Sequence, residues 1–110
     1  MDRPQAEPTP HALGMATRHR ELVLALLNAH AVGAEVWAYG SRVKGTSGEC
    51  SDLDLVLINP VDPSQATNRA ERLRQAFVDS LLPFSVDVSE WAWIPEAFRR
   101  EIERDRVRLT

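Results

Sequence analysis

The feature that most limits how this chain can fold is the run Ser51-Asp52-Leu53-Asp54-Leu55-Val56-Leu57-Ile58, which sets a pair of aspartates at the head of an apolar segment. In a β-strand over Leu53 to Ile58, residues i and i+2 share a face, so Asp52 and Asp54 project together while Leu53, Leu55 and Leu57 form the opposite face. One face packs and the other is left to bind. Side-by-side carboxylates repel unless they share a proton or a cation sits between them. Oxygen-only donors of this hardness suit Mg²⁺ or Mn²⁺. An isolated Asp-x-Asp pair is more often a solvated turn leading into a strand, so the residues before it carry the decision.

Those residues read Tyr39-Gly40-Ser41-Arg42-Val43-Lys44-Gly45, followed by Thr46-Ser47-Gly48. Gly40 has no side chain, which lets backbone approach a phosphate, and Ser41 adds a hydroxyl donor beside it. A short helix beginning at Ser41 would turn unpaired N–H groups toward an anion, with Arg42 and Lys44 adding positive charge close by. Each piece alone also fits a strand-ending turn or a solvated basic face. The order Gly40-Ser41, then Gly45, then Ser51-Asp52-x-Asp54 is a composite signal of much higher specificity.

On those residues the chain resembles the minimal nucleotidyltransferases, the smallest members of the DNA polymerase beta-like superfamily, and the resemblance runs from about Leu22 onward. It implies an α/β fold of the polymerase beta palm type, a small mixed β-sheet with helices mainly on one face. It also implies transfer of a nucleoside monophosphate from a nucleoside triphosphate, ATP foremost, to an acceptor. Asp52 and Asp54 would hold two Mg²⁺ ions, or Mn²⁺ in their place, and Asp87 would be the third carboxylate. Gly40, Ser41, Arg42, Lys44 and Ser51 would contact the nucleotide. Glu90 is the competing third acid, a fallback because it lies past the alternating part of its strand. Phe98 to Ile102 and Val107 to Leu109 resemble the family's closing helix and final short strand, with Asp105-Arg106 standing where a glycine is common. The implied partner is a helical HEPN-type protein, which in some pairs is a toxin adenylylated by its nucleotidyltransferase antitoxin and in others is regarded as a substrate-binding subunit.

Composition bounds what such a site can serve. A length of 110 residues at 44% hydrophobic content fills one compact domain. A formal charge of -3 offers no basic footprint, which argues against extended contact with a nucleic-acid backbone. Cys50 is the only cysteine, so no internal disulfide forms, and a small filler in a reducing cytosol is the simplest reading. No apolar run reaches membrane-spanning length, and the start lacks a basic-then-apolar layout, so a soluble cytoplasmic protein is expected. Residues 1–10, with Pro4, Pro8 and Pro10, are expected to form a mobile tail before a domain over 11–110.

The remaining pattern predicts a helix from His11 to about Val32, stopped near Gly33. Its histidines, His11, His19 and His30, are too far apart to share a metal. Glu35 to Tyr39 reads as a strand with Val36 and Ala38 on one face and Trp37 and Tyr39 covering the sheet on the other. Ala66, Ala70, Leu73, Phe77, Val78 and Leu81 recur at three and four, which predicts a helix over Pro63 to Leu82 that Pro83 ends. Arg69, Glu71, Arg72 and Arg74 then form its solvated face. In a strand over Phe84 to Ser89, Asp87 leaves the apolar face and reaches Asp52 and Asp54 if the two strands are neighbours. Pro95 opens a last helix, and Trp91 and Trp93 before it either tuck under an edge or face another chain, so an oligomer stays open. Three functions remain in play: an Mg²⁺-dependent nucleotidyltransferase, a nucleotide- or partner-binding module without catalysis, and an interaction protein that masks a toxin through Trp91, Trp93 and the last helix.

Overall fold

The structure, a computed structural model, describes residues 14–44 and 52–110. Strands β1 (Glu35–Tyr39), β2 (Leu53–Ile58), β3 (Val86–Glu90) and β4 (Val107–Arg108) form one sheet in the order β3-β2-β1-β4. β1 runs antiparallel to β2 and β4, whereas β2 and β3 are parallel, so the sheet is mixed. The helices are α1 (Thr17–His30), α2 (Ser41–Lys44), α3 (Ala70–Val78) and α4 (Glu96–Asp105), with a 3-10 turn at Trp91–Trp93. Parallel neighbours need a crossover, and α3 supplies it between β2 and β3.

Period-two alternation divides the sheet into two packing faces. Val36, Ala38, Leu53, Leu55, Leu57 and Val88 meet Val23 and Leu27 of α1 and Leu73 and Phe77 of α3. Trp37, Tyr39, Val56 and Ile58 point the other way, under Trp91 and Ile102 of α4. The aromatics of β1 therefore do cover the sheet, and Trp37 meets Trp91 edge to face with centroids 5.1 Å apart. Each fully buried leucine of β2 contributes roughly 1.5–3 kcal/mol, and a one-residue slip would turn Asp54 into that core, so burial fixes the register that aims the acid.

Several elements differ from the periodicity-based expectation. The helix expected over Pro63 to Leu82 covers only Ala70–Val78. Upstream, side chains satisfy the backbone locally: the Asn59 side-chain oxygen accepts from the Val61 and Asp62 N–H groups, and Asp62 accepts from the N–H and hydroxyl of Ser64. Thr67 donates its N–H and its hydroxyl to the Glu90 carboxylate, and Asn68 sits at φ 62°. Such bonds compete with helix formation. Downstream, the Ser80 hydroxyl and N–H both donate to the Phe77 carbonyl and close the helix. Val78 and Leu81, assigned by spacing to the apolar stripe, are instead 72% and 92% exposed.

α1 begins at Thr17 rather than His11, and residues 11–13 lie outside the described part, as do the expected tail over 1–10 and Gly45, Cys50 and Ser51. At its other end the Ala31 N–H donates to Leu27, and Gly33 turns the chain at φ 85°. β3 starts at Val86, two residues later than expected, leaving Phe84 buried just ahead of it. After α4, Arg106 is extended (φ -62°, ψ 153°) and lays its guanidinium 4.3 Å from the centre of the Trp37 ring, so the turn into β4 needs no glycine. Among the described residues no helix is long and apolar enough to cross a membrane.

Candidate active site

β1 ends at Gly40, whose φ of 87° lies in the left-handed region where a side chain is strained. From there α2 starts at Ser41, and the Gly40 carbonyl accepts from the Val43 and Lys44 N–H groups at 3.1 Å each. A side chain at Gly40 would run into the Asp54 carboxylate, its first carbon lying 3.2 Å from Cγ and closer still to an oxygen. The glycine turn and the acid are thus in direct contact. Backbone conformation and space both demand glycine at this position.

Strand register builds the rest. Tyr39 is the partner of Asp54 across β1 and β2, and Asp54 is the partner of Asp87 across β2 and β3. The three side chains form one row on the face opposite Leu53 and Leu55. Asp54 and Asp87 line a cleft of about 390 Å³ together with Tyr39, Gly40, Lys44 and Ser89. Its other wall is α4, which contributes Phe98, Glu101, Ile102 and Asp105. Phe98 stands edge to face on Tyr39 at 5.8 Å, and Lys44 Nζ lies 3.9 Å from Asp105.

The charges in this cleft are out of balance. Burial, then the charge of Asp87, then that of Asp52 push the Asp54 carboxyl above the ordinary aspartate value. Burial also raises the Tyr39 phenol, a hydrogen bond with Ser89 partly offsets this, and the charges of Asp54 and Asp87 raise it further. Among the described residues no three His, Cys, Asp or Glu side chains are gathered tightly enough to enclose an ion. The convergent pair is Asp54 and Asp87, with the exposed Asp52 adding its charge from the head of β2. The donor chemistry fits a hard divalent cation: all oxygen, excess negative charge, and one lysine that already faces another acid.

The sequence-based candidates divide as follows. Gly40, Lys44, Asp54 and Asp87 share the cleft. Ser41 follows directly at the start of α2, half-buried, and Asp52 stands one residue before β2. Ser51 lies outside the described residues. Arg42 does not join the cleft: it is 1% exposed, lies over the Phe84 ring and donates to the Gly14 carbonyl, because its position on α2 turns it toward the α1 side of the sheet. Glu90, the fallback acid, is 3% exposed and occupied by Thr67. Its parity within β3 is that of Val88, not Asp87. Sequence reasoning missed the α4 wall, although Phe98, Glu101, Ile102 and Asp105 are spaced to share one helical face.

A mixed palm-like sheet that sets paired aspartates beside a glycine-serine turn is the architecture of a nucleotidyl-transferring domain. The model of the nucleotidyltransferase domain family matches residues 18–109, and the chain belongs to that family of enzymes. It is 46% identical over 69 residues to a Haemophilus influenzae protein named "Probable protein adenylyltransferase MntA", a match that covers 63% of this chain and 59% of that protein. The chain therefore spans less than two thirds of that relative's length. Among solved structures it is similar to a toxin-antitoxin crystallised with AMP-PNP, with a TM-score of 0.64 and 19% identity over 82% of this chain and 71% of the other. It is also similar to a mutant of the toxin-antitoxin MntA-HpeT, with a TM-score of 0.62 and 18% identity over 82% and 70% of the two chains. At those identities the structures bear on the fold alone.

Proposed function

We propose that this chain transfers a nucleoside monophosphate, AMP from ATP foremost, to a hydroxyl on a partner protein. The observation that carries the reading is the row of Asp54 and Asp87 across parallel neighbours with the Gly40 turn pressed against Asp54. The likeness to a protein adenylyltransferase supports the nucleotide and the class of acceptor. The toxin-antitoxin descriptions of the structural neighbours support a partner from such a pair, a helical HEPN-type protein on the family resemblance. Such chemistry belongs in the cytoplasm, where ATP is held.

Asp54 and Asp87 would hold Mg²⁺, with Asp52 turning in from the exposed head of β2 to join them, and the ion when bound lowers the pKa of an attacking hydroxyl and offsets charge on the phosphates. Asp87, on the exposed rim of the row, takes the acceptor's proton as the new oxygen–phosphorus bond forms and the α–β phosphoanhydride bond breaks, releasing pyrophosphate. The Gly40-Ser41 backbone and the Ser41 hydroxyl hold the outer phosphates, and Lys44 exchanges Asp105 for a phosphate oxygen. α4 excludes water from the far side of the cleft, with Phe98 and Tyr39 offering an aromatic wall.

The test is incubation of the chain with Mg²⁺ and labelled ATP, CTP, GTP or UTP, with and without the product of the neighbouring reading frame. Label transfer is expected for the parent and absent for folded Asp54→Asn and Asp52→Ala proteins. Transfer at the parental rate in either would refute the assignment. If the inactive variants still neutralise the partner, masking rather than modification is the chain's role.

A further inference from the structure

We infer that Arg42 is a positioning residue and not a phosphate ligand: its guanidinium holds the Gly40-Ser41 turn in register with the strand that carries Asp87. The inference rests on the nucleotidyl-transfer reading above and assigns a further residue to it. Arg42 is 1% exposed, its guanidinium carbon lies 4.3 Å from the centre of the Phe84 ring, and Nη1 donates to the Gly14 carbonyl at 3.3 Å. It lines a separate cavity of about 190 Å³ with Gly14, His19 and Phe84, which shares no lining residue with the nucleotide cleft. The two cations of α2 thus face opposite ways, Lys44 toward the cleft and Arg42 away from it.

The places that Arg42 ties together explain why this matters. It stands two residues past Gly40, the left-handed pivot between β1 and α2. Phe84 stands three residues before Asp87, and the next carbonyl, that of Ser85, accepts the Leu53 N–H at 2.9 Å where β2 and β3 begin to pair. One side chain therefore spans the turn that meets the phosphates and the start of the strand that delivers the second acid. The Gly14 carbonyl fixes the guanidinium from a third side, at the head of α1. A swing of α2 about Gly40 would move Ser41 and Lys44 against Asp54 and Asp87. A guanidinium buried against an aromatic face has lost its water, and such contacts hold its geometry.

The experiment is calorimetric titration of the intact chain with Mg²⁺ and ATP, each variant also being melted to establish that it is folded. Phe84→Leu changes a residue outside the cleft, yet it is expected to weaken binding by roughly tenfold, the equivalent of about 1.4 kcal/mol. The Arg42→Lys/Phe84→Leu pair should lose no more than the worse single variant. Rank order supplies an independent check: Arg42→Met, which drops the charge but packs its thioether on Phe84, should bind ATP better than Arg42→Lys, which buries a point charge without the planar stack. Lysine outranking methionine, or Phe84→Leu binding like the parent while Arg42→Lys fails, would overturn the inference in favour of direct phosphate contact. Lowered melting with parental affinity in every variant would reduce Arg42 to a fold-stabilising role and overturn it as well. A parent that binds no nucleotide would sink the nucleotidyl-transfer reading itself.

Discussion

Gly40→Ala isolates the contact on which the site is built, because the structure supplies its own control. Gly40 and Gly33 have nearly equal left-handed φ values, 87° and 85°, so alanine strains the backbone alike at both. An L-residue in that region costs roughly 1–2 kcal/mol. The surroundings differ: nothing lies within 4 Å of the position a Gly33 side chain would take, whereas at Gly40 that position is filled by the Asp54 carboxylate. In a domain of this size each 1 kcal/mol shifts Tm by about 4–8 °C, so Gly33→Ala should melt lower by about 4–16 °C and transfer label at the parental rate. Gly40→Ala should melt lower still, since strain and collision add, and a displacement of Asp54 by about 1 Å should cost on the order of a hundredfold in transfer. Calorimetric melting and initial rates on the same preparations measure both. Equal effects of the two substitutions, or parental transfer by Gly40→Ala, would refute the claim that the turn and the acid are pressed together in the working enzyme.

Other perturbations separate roles within the site. Asp54 is raised above 3.8 by burial and then by Asp87 and Asp52, so the folded state holds its proton more tightly than the unfolded chain does. The stability from this group is fully present below the unfolded value and is lost as pH rises through the folded one. At pH 7 Asp54→Asn should therefore raise Tm without metal while abolishing transfer, and a lower Tm would contradict the repulsion argument. Glu90→Ala should cost roughly 1–3 kcal/mol in urea titrations, because the half-buried Thr67 N–H loses its acceptor, yet leave transfer per folded molecule unchanged. Loss of transfer there would reinstate Glu90 as the third acid. Trp91→Ala should cost about 3–5 kcal/mol, whereas Trp93→Ala, at a side chain 74% exposed, should stay within about 0.5 kcal/mol.

What was legible in the sequence follows from which forces are local. β1 and β2 appear with the bounds that pattern alone assigns, and α2 starts at Ser41, where the pattern allows a short helix, since alternation and a glycine-serine turn are decided within a few residues. α3 was over-read because apolar spacing from Ala66 to Leu81 ignores the side chains of Asn59, Asp62 and Thr67, which offer the backbone competing partners. Glu90 belongs to the same lesson: a carboxylate near the end of a strand reads as a ligand until its partner, 23 residues away, is known.

Asp87 joins Asp54 through parallel register, a relation between strands that no local pattern encodes and that the family resemblance had to supply. Arg42 shows the converse limit. A one-turn helix turns successive side chains through about 100°, so Arg42 and Lys44 had to diverge. Which of them faced the cleft depended on where Phe84 lay, across the sheet and far along the chain. The same step accounts for the α4 wall. Phe98 and Ile102 read as packing positions and Glu101 and Asp105 as part of a densely charged helix surface, and they become part of the site only because Ile102 and Trp91 fasten α4 over the face that carries Tyr39, Asp54 and Asp87.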